Sequence, residues 1–374
     1  MKKKIVVISV LFMLSIFGIV RYIINDDVFY ENDQNNNLNN IISMNLEQNL
    51  GKGDYKQVTR SNWPTEGYSF NVTLSRCENG SSLSWDSVNK TVVFNGNVSD
   101  KCYVYFDLAR FDETCDKNTF ACHIANLYTT VQGENYIYYH DSNLVNGTGD
   151  NSYRYSGTTT DAINNYVCFG SDASACPDDN LYRIIGVFDE RVKLVKNTSS
   201  MRGCWDDYAS PYWNKGTLYA TLNGTYLTSL GSWGNKIFNA TWIVGGNTSN
   251  NLLDSPSMLY QSEIINPIDN YTAEAKIGLM YGSDFIYAAY PDFTEDNWLK
   301  FGSNKEWLIT PVYERSTSIE PRNALLAGNG GLFTEHKNDL ETCKFGYGRP
   351  SFYLEKSVLY ASGSGSSTNP FRIS

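Results

Sequence analysis

The chain has 374 residues, 30 of them basic and 40 acidic, for a formal net charge of −10. Lys2, Lys3, Lys4 and Arg21 all precede residue 25, which leaves 26 basic residues against 40 acidic ones, a net of −14 for the rest. A surface this acidic repels phosphate backbones and excludes nucleic acid as a partner.

Met1-Lys-Lys-Lys opens an apolar run from Ile5 to Val20. A basic head before an apolar segment directs export and keeps the basic end in the cytoplasm. Extended through Tyr22-Ile23-Ile24, the run reaches about 20 residues, enough for a ~30 Å hydrocarbon core. Arg21 to Asn25 are too large for a small-residue cleavage site, and no cysteine follows for lipid attachment. Residues 1–24 are therefore expected to be an uncleaved, single-pass helical anchor in the cell membrane, with the bulk of the chain extracellular. Glu31 to Asn40 is a polar, Asn-rich stretch too poor in apolar residues to pack, so 25–54 is expected to be a flexible linker.

From 55 to 112 the pattern is that of a small, all-β, sandwich-like domain. Tyr68-Ser-Phe-Asn-Val-Thr-Leu alternates in polarity, Leu83-Ser-Trp85 leads to a turn at Asp86-Ser-Val-Asn89, and Thr91-Val-Val-Phe reaches the turn dipeptide Asn95-Gly96. Tyr103-Val-Tyr-Phe106 completes the set. A core of that size is marginal, so a Cys77–Cys102 bond would contribute about 3 kcal/mol through loop entropy.

Residues 113–374 read as a loop-rich, disulfide-stapled α+β domain. Helices are expected near Phe120–Thr130 and across Ala220–Asn239. Strands are expected at Leu181–Phe188, Arg191–Val195, Ala275–Met280, Glu306–Thr310 and Arg349–Leu354, with Asp189-Glu190 joining the first two as a hairpin. The 27 tyrosines and frequent Asn, Ser, Thr and Gly fit short strands between long ordered loops.

Eight cysteines (Cys77, Cys102, Cys115, Cys122, Cys168, Cys176, Cys204 and Cys343) allow 105 pairings. Local spacing favours closing Cys77 with Cys102, a staple at Cys115 and Cys122, and a short loop between Cys168 and Cys176. Cys204 and Cys343 are left for a long-range bond. With no Cys-x-x-Cys and only three histidines (His123, His140 and His336), disulfides are favoured over metal, and no metal or cofactor is expected. Ten Asn-x-Ser/Thr sequons occur; an Asn-, Ser- and Thr-rich chain generates them by chance.

Several segments together carry a resemblance. Asn151-Ser-Tyr-Arg-Tyr-Ser-Gly157, Asn165-Tyr-Val-Cys-Phe-Gly170, Asn180-Leu-Tyr-Arg-Ile-Ile-Gly-Val-Phe188 and Gly348-Arg-Pro-Ser-Phe-Tyr-Leu354 are among them. As a block from Tyr128 to Ser374 the chain resembles an uncharacterised domain family of Gram-positive, often gut-dwelling, bacterial surface proteins. The closing strand is loosely similar to the end of C-type-lectin-like and formylglycine-generating-enzyme folds. That likeness implies a C-type-lectin-like core for the second domain, by fold analogy alone.

No constellation for catalysis stands out. There is no Gly-x-Ser-x-Gly elbow, and His140, in Tyr138-Tyr-His-Asp141, is expected to make a structural hydrogen bond. The best candidate surface is aromatic. Trp205-Asp206-Asp207-Tyr208 and Tyr212-Trp213 fall in one loop, and Asp292 through Asp296 to Trp298 in another. Flat rings stack on the apolar faces of sugars while neighbouring carboxylates accept hydroxyl hydrogen bonds. The reading is a membrane-tethered, non-catalytic, adhesin-like protein binding carbohydrate or a surface polymer. Two alternatives remain: thiol chemistry at Cys204 and Cys343, and a purely structural assembly unit.

Overall fold

The computed structural model describes residues 19–21, 42–58, 67–86, 91–97, 100–198, 201–202, 204–206, 212–248, 255–293, 296–300, 305–313, 323–328, 331–336 and 346–374. The chain divides into two compact units, Met1–Cys115 and Asp116–Ser374.

Unit 1 is built from two small sheets. In the larger, Ile42–Glu47 pairs parallel with Cys102–Leu108 and antiparallel with Tyr55–Gln57; Tyr68–Phe70 and Arg76–Cys77 also pair with Cys102–Leu108. The smaller holds Ile19–Arg21, Thr91–Asn95 and Ser82–Asp86. Side chains alternate along Cys102–Leu108, as a strand with one covered face requires. Met44, Leu46, Val92, Val104 and Phe106 form the core. Phe106 packs edge-on against Trp85 and Phe70, with centroids 4.9 and 5.7 Å away. Cys77 and Cys102 lie directly opposite in register and are bonded, as their spacing suggested.

Three expectations for this unit change. The linker cannot extend to residue 54, because Ile42–Glu47 is an inner strand with Met44 and Leu46 buried; its period-2 apolar pattern lay hidden behind the polar run before it. Asn95-Gly96 closes no hairpin with the next strand, since Thr91–Asn95 pairs back onto Ser82–Asp86 while Cys102–Leu108 joins the other sheet. Ile19–Arg21, the end of the expected anchor helix, is extended and pairs with Val93, Phe94 and Asn95. Residues 1–18 lie outside the described ones, among which no helix is long and apolar enough to cross a membrane.

Unit 2 is mixed α+β, with many strands and short helices. One antiparallel sheet runs Ser351–Tyr353, Arg191–Lys196, Leu181–Phe188, Ser152–Tyr155, Ile137–His140, with Tyr166–Cys168 on the flank of Leu181–Phe188. The hairpin at Asp189-Glu190 forms as expected. Both residues are left-handed (φ 44° and 61°), the conformation that matches a two-residue turn to strand twist. Gly186 lies at a bulge, where an added Cβ would fall 2.2 Å from the Tyr153 carbonyl oxygen. At the exposed edge, the Gln132 side chain accepts from the Tyr139 N–H and donates to its carbonyl, taking the place of a neighbouring strand. A second sheet holds Met201–Arg202, Tyr347–Gly348, Glu306–Tyr313, Asn323–Gly328 and Gly331–His336, with Asn247–Thr248 parallel to Glu306–Tyr313.

The first expected helix is limited to Phe120–Ala125, N-capped by the Thr119 hydroxyl. The second is a composite: Thr217–Thr221 and Leu227–Ser229 flank a π-helical turn at Leu222–Tyr226, and a 3-10 segment follows at Gly231–Lys236. Asn223 in the π turn accepts from the Ile277 N–H and donates to its carbonyl. Residues 275–280 were expected to be a strand; the strand is instead Thr272–Ala275, because beyond it the backbone pairs only at separate points, Gly278 with Ser351 and the Met280 carbonyl with the Ile309 N–H, and forms no continuous ladder. Cys168–Cys176 is bonded, and Cys115, Cys122 and Cys204 are oxidised as well. Cys343 lies outside the described residues.

Candidate functional site

The residues expected to offer a sugar-stacking surface are mostly inside unit 2. Trp205 and Trp213 are buried and pack on each other and, through Trp205, on Trp307, with ring centroids 5.5 and 5.9 Å apart. Asp206 is buried too, and accepts the N–H and hydroxyl of Thr217, the first residue of a helix. Trp298 belongs to another cluster: its indole donates to the Tyr155 carbonyl and the Arg183 guanidinium lies 4.5 Å over its ring. Tyr212 is half-buried against Tyr271, while Asp296 is exposed and accepts from the Thr159 hydroxyl. Asp207 is outside the described residues. No stacking face is left on the three tryptophans, because a loop-rich domain needs satellite cores and a tryptophan supplies the largest apolar area per residue. The thiol alternative also loses its starting point, since Cys204 is in a disulfide.

The polar chemistry of unit 2 concentrates elsewhere. Arg154 and Lys193, on adjoining parts of the first sheet, project from strands whose residues are nearly all buried. A cation there requires a buried anion. Lys193 Nζ meets Asp284 Oδ2 at 2.5 Å, and Arg154 lies between Asp284 (Nη1–Oδ1 3.8 Å) and Asp150 (Nη2–Oδ2 2.7 Å). Two cations and two carboxylates thus balance in a line. Asp284 also accepts the Tyr281 N–H at the start of helix Gly282–Tyr287. Asp150 accepts the Ser152 N–H, the Tyr260 hydroxyl at 3.0 Å and the Thr148 hydroxyl at 2.6 Å. Burial opposes its ionisation, but the Arg154 guanidinium and the Ser152 and Thr148 hydroxyls hold the carboxyl well below the usual range. For Lys193 burial favours the neutral amine, and the Asp284 carboxylate more than offsets it, so the ammonium persists.

His140 lies beside this line. Its Nδ1 accepts the Thr148 N–H at 3.3 Å, the structural bond expected, while Nε2 faces the interior without a partner. Burial, reinforced by Arg154, pulls its pKa down to about 3, so it stays neutral. A second buried carboxylate, Glu263, accepts the N–H groups of Gly282 and Ser283 at 2.9 Å each and the Thr310 hydroxyl. Burial still raises its pKa above the ordinary value.

Above the charged line is an aromatic edge. His140 packs against Tyr287 and Tyr290, with centroids 5.0 and 5.5 Å away. Tyr290 meets Tyr138 at 4.8 Å and Phe293 at 5.4 Å, both nearly edge-on. Leu144 and Ile264 fill the flank. Tyr287 and Tyr290 donate to the carbonyls of Asn146 and Val145, which fastens the loop to the rings. Tyr138 and Phe293 are half-buried, and Asp292 is exposed. Burial and then the Asp292 charge raise the Tyr138 hydroxyl's pKa. Tyr136 and Phe293 both hold left-handed backbones (φ 60° and 52°), conformations that cost an aromatic residue of order 1–3 kcal/mol and cluster at functional sites.

Asp292 and Phe293 fell inside a loop the sequence had marked, and Tyr138 beside a histidine it had weighed. Tyr287 and Tyr290 were missed along with helix Gly282–Tyr287; their i, i+3 spacing was the available signal. Among the described residues no His, Cys, Asp and Glu group could hold a metal ion. Comparison with known proteins finds no matching family model, no similar curated protein and no similar solved structure.

Proposed function

We propose that the chain is a membrane-tethered, extracellular, non-catalytic protein in which unit 2 is an adhesin-like recognition module with Tyr138, Phe293 and Asp292 as its contact surface. The observation that carries this reading is the half-buried pair of rings beside an exposed carboxylate, with Phe293 on left-handed backbone, over a buried line of paired cations and carboxylates. The combination suits a carbohydrate or surface polymer, whose apolar face stacks on a ring while a hydroxyl donates to the carboxylate. The acids that could serve catalysis (Asp150, Asp284 and Glu263) are each engaged by several donors, and Asp284 and Glu263 are buried as well.

The test is a glycan and cell-wall-polymer array probed with the full chain, followed by Tyr138→Ala, Phe293→Ala and Asp292→Asn. Loss of about tenfold or more in affinity per ring, with an unchanged melting profile, is expected. A bound ligand insensitive to all three variants would overturn the assignment. The burial of Trp205, Trp213 and Trp298 favours a second reading, a purely structural unit, and a blank array with intact folding would select it.

A further inference from the structure

Lys193 and Asp284 are 0% and 3% exposed and stand 2.5 Å apart, Nζ to Oδ2. The rings of Tyr281, Tyr353, Trp242 and Phe188 surround the ammonium, with centroids 4.6, 5.1, 5.4 and 5.7 Å from Nζ. The Tyr353 hydroxyl hydrogen-bonds to it. A primary amine is therefore held in contact with a carboxyl group in a box of aromatic walls, 91 residues away along the chain.

We propose that Lys193 and Asp284 condense into an intramolecular amide that ties strand Arg191–Lys196 to helix Gly282–Tyr287. The resting state is the ion pair. A proton passes from Nζ to the carboxylate along their hydrogen bond, which gives the neutral amine and acid as a minor form. The Nζ lone pair attacks Cγ and the C–N bond forms. The oxyanion that develops faces the Arg154 guanidinium, 3.8 Å from Oδ1 in the resting pair. The second Nζ proton goes to the departing hydroxyl by way of Tyr353, the C–O bond breaks, and water leaves. One amide and one water replace an amine and an acid, and nothing is oxidised or reduced.

Two features favour the product. In water the condensation runs uphill because both ions are solvated; here that solvation is already lost, and contact replaces encounter. The amide also removes one positive and one negative charge, so Arg154 and Asp150 remain balanced, and the amide oxygen, the former Oδ1, keeps its place beside Arg154, while the Tyr281 N–H gives up the departing Oδ2. The chain contains its own control. Lys356 and Glu190 stand at the same 2.5 Å but are 43% and 38% exposed, so they should remain an ion pair.

The test is the intact mass of the full chain, reduced and alkylated after prolonged incubation in the folded state, followed by peptide mapping. A mass lower by one water, with a branched peptide joining Lys193 to Asp284, is expected. Lys193→Arg, which keeps the charge, should show the full mass with an unchanged near-ultraviolet dichroism spectrum. A wild-type chain at full mass overturns the proposal, as does a water loss that maps to any other pair or that persists in Lys193→Arg. Neither result bears on the ring-mediated recognition above, which is read by binding.

Discussion

Lys193→Met tests how dry the interior of unit 2 is. The substitution keeps the length and apolar stem of the side chain and deletes only the charge. Asp284 is then left with the Tyr281 N–H and with Arg154 at 3.8 Å, a distance that gives attraction but no direct hydrogen bond. Breaking a buried pair by removing one partner costs about 3–5 kcal/mol, and the partial compensation from Arg154 puts this case near 3 kcal/mol. Lys356→Met removes a cation from a pair of equal length at the surface, where solvent and salt screen the interaction, and should cost below about 1 kcal/mol. Six of the eight tryptophans lie in unit 2, so fluorescence-monitored urea unfolding reports chiefly on that unit. Burial is the variable that separates the two variants. Midpoints that coincide to within about 1 kcal/mol would refute the claim that water is excluded from Lys193. If the amide has formed, Lys193→Met also loses a covalent constraint and the gap widens.

Other outcomes follow from single groups. Burial pushes the Glu306 carboxyl up to about 7, against the pull of Arg349 2.7 Å away. The folded state then keeps a proton that the unfolded state, titrating near 4.5, releases, so this group's contribution falls as pH rises from 4.5 to 7. Glu306→Gln should flatten that segment of the stability–pH curve, by at most about 1.4 kcal/mol per pH unit. His140 acts in the opposite sense, because its unfolded form takes a proton near 6.5 while the folded form resists to about 3, and stability drops on acidification below 6.5. An unchanged curve in Glu306→Gln would show that Arg349 keeps Glu306 ionised throughout. In unit 1, Cys77→Ser with Cys102→Ser opens a loop of separation 25 and should cost about 3 kcal/mol, read from hydrogen exchange of the Cys102–Leu108 amides. Gly186→Ala drives a Cβ to 2.2 Å from the Tyr153 carbonyl oxygen and should destabilise unit 2 by roughly 1–3 kcal/mol; a neutral result would mean the bulge relaxes freely.

What could be read in advance was local. The hairpin at Asp189-Glu190, the Cys77–Cys102 and Cys168–Cys176 bonds and strand Glu306–Tyr313 are each specified by a dozen or so residues and their periodicity. What could not be read was set by distant partners. Lys193 and Asp284 lie 91 residues apart, and neither position looks unusual until strand Arg191–Lys196 proves buried on both faces. Trp205 and Trp213, beside acids and a tyrosine, have the composition of a sugar platform. Trp307, more than 90 residues later, turns them into core. Ile42–Glu47 escaped notice because the polar stretch before it outweighed three alternating apolar residues.

In the proposed reading, the buried charges bear on recognition through rigidity. Replacing them with apolar residues of equal volume would often be neutral or stabilising, so net stability does not account for them. Each one instead fastens a segment that the apolar core leaves loose. Asp150 holds Thr148 and Tyr260, Asp284 holds the start of helix Gly282–Tyr287, and Glu263 caps the same helix from another segment. Those segments carry Tyr287 and Tyr290, against which Tyr138 and Phe293 rest. A contact surface on loops would ordinarily lose affinity to the entropy of ordering them at each encounter. Here the ordering is completed on folding, by charges placed beneath the rings. Loosening that base, as in Asp150→Asn, should therefore weaken ligand binding at the edge while leaving every contact residue in place.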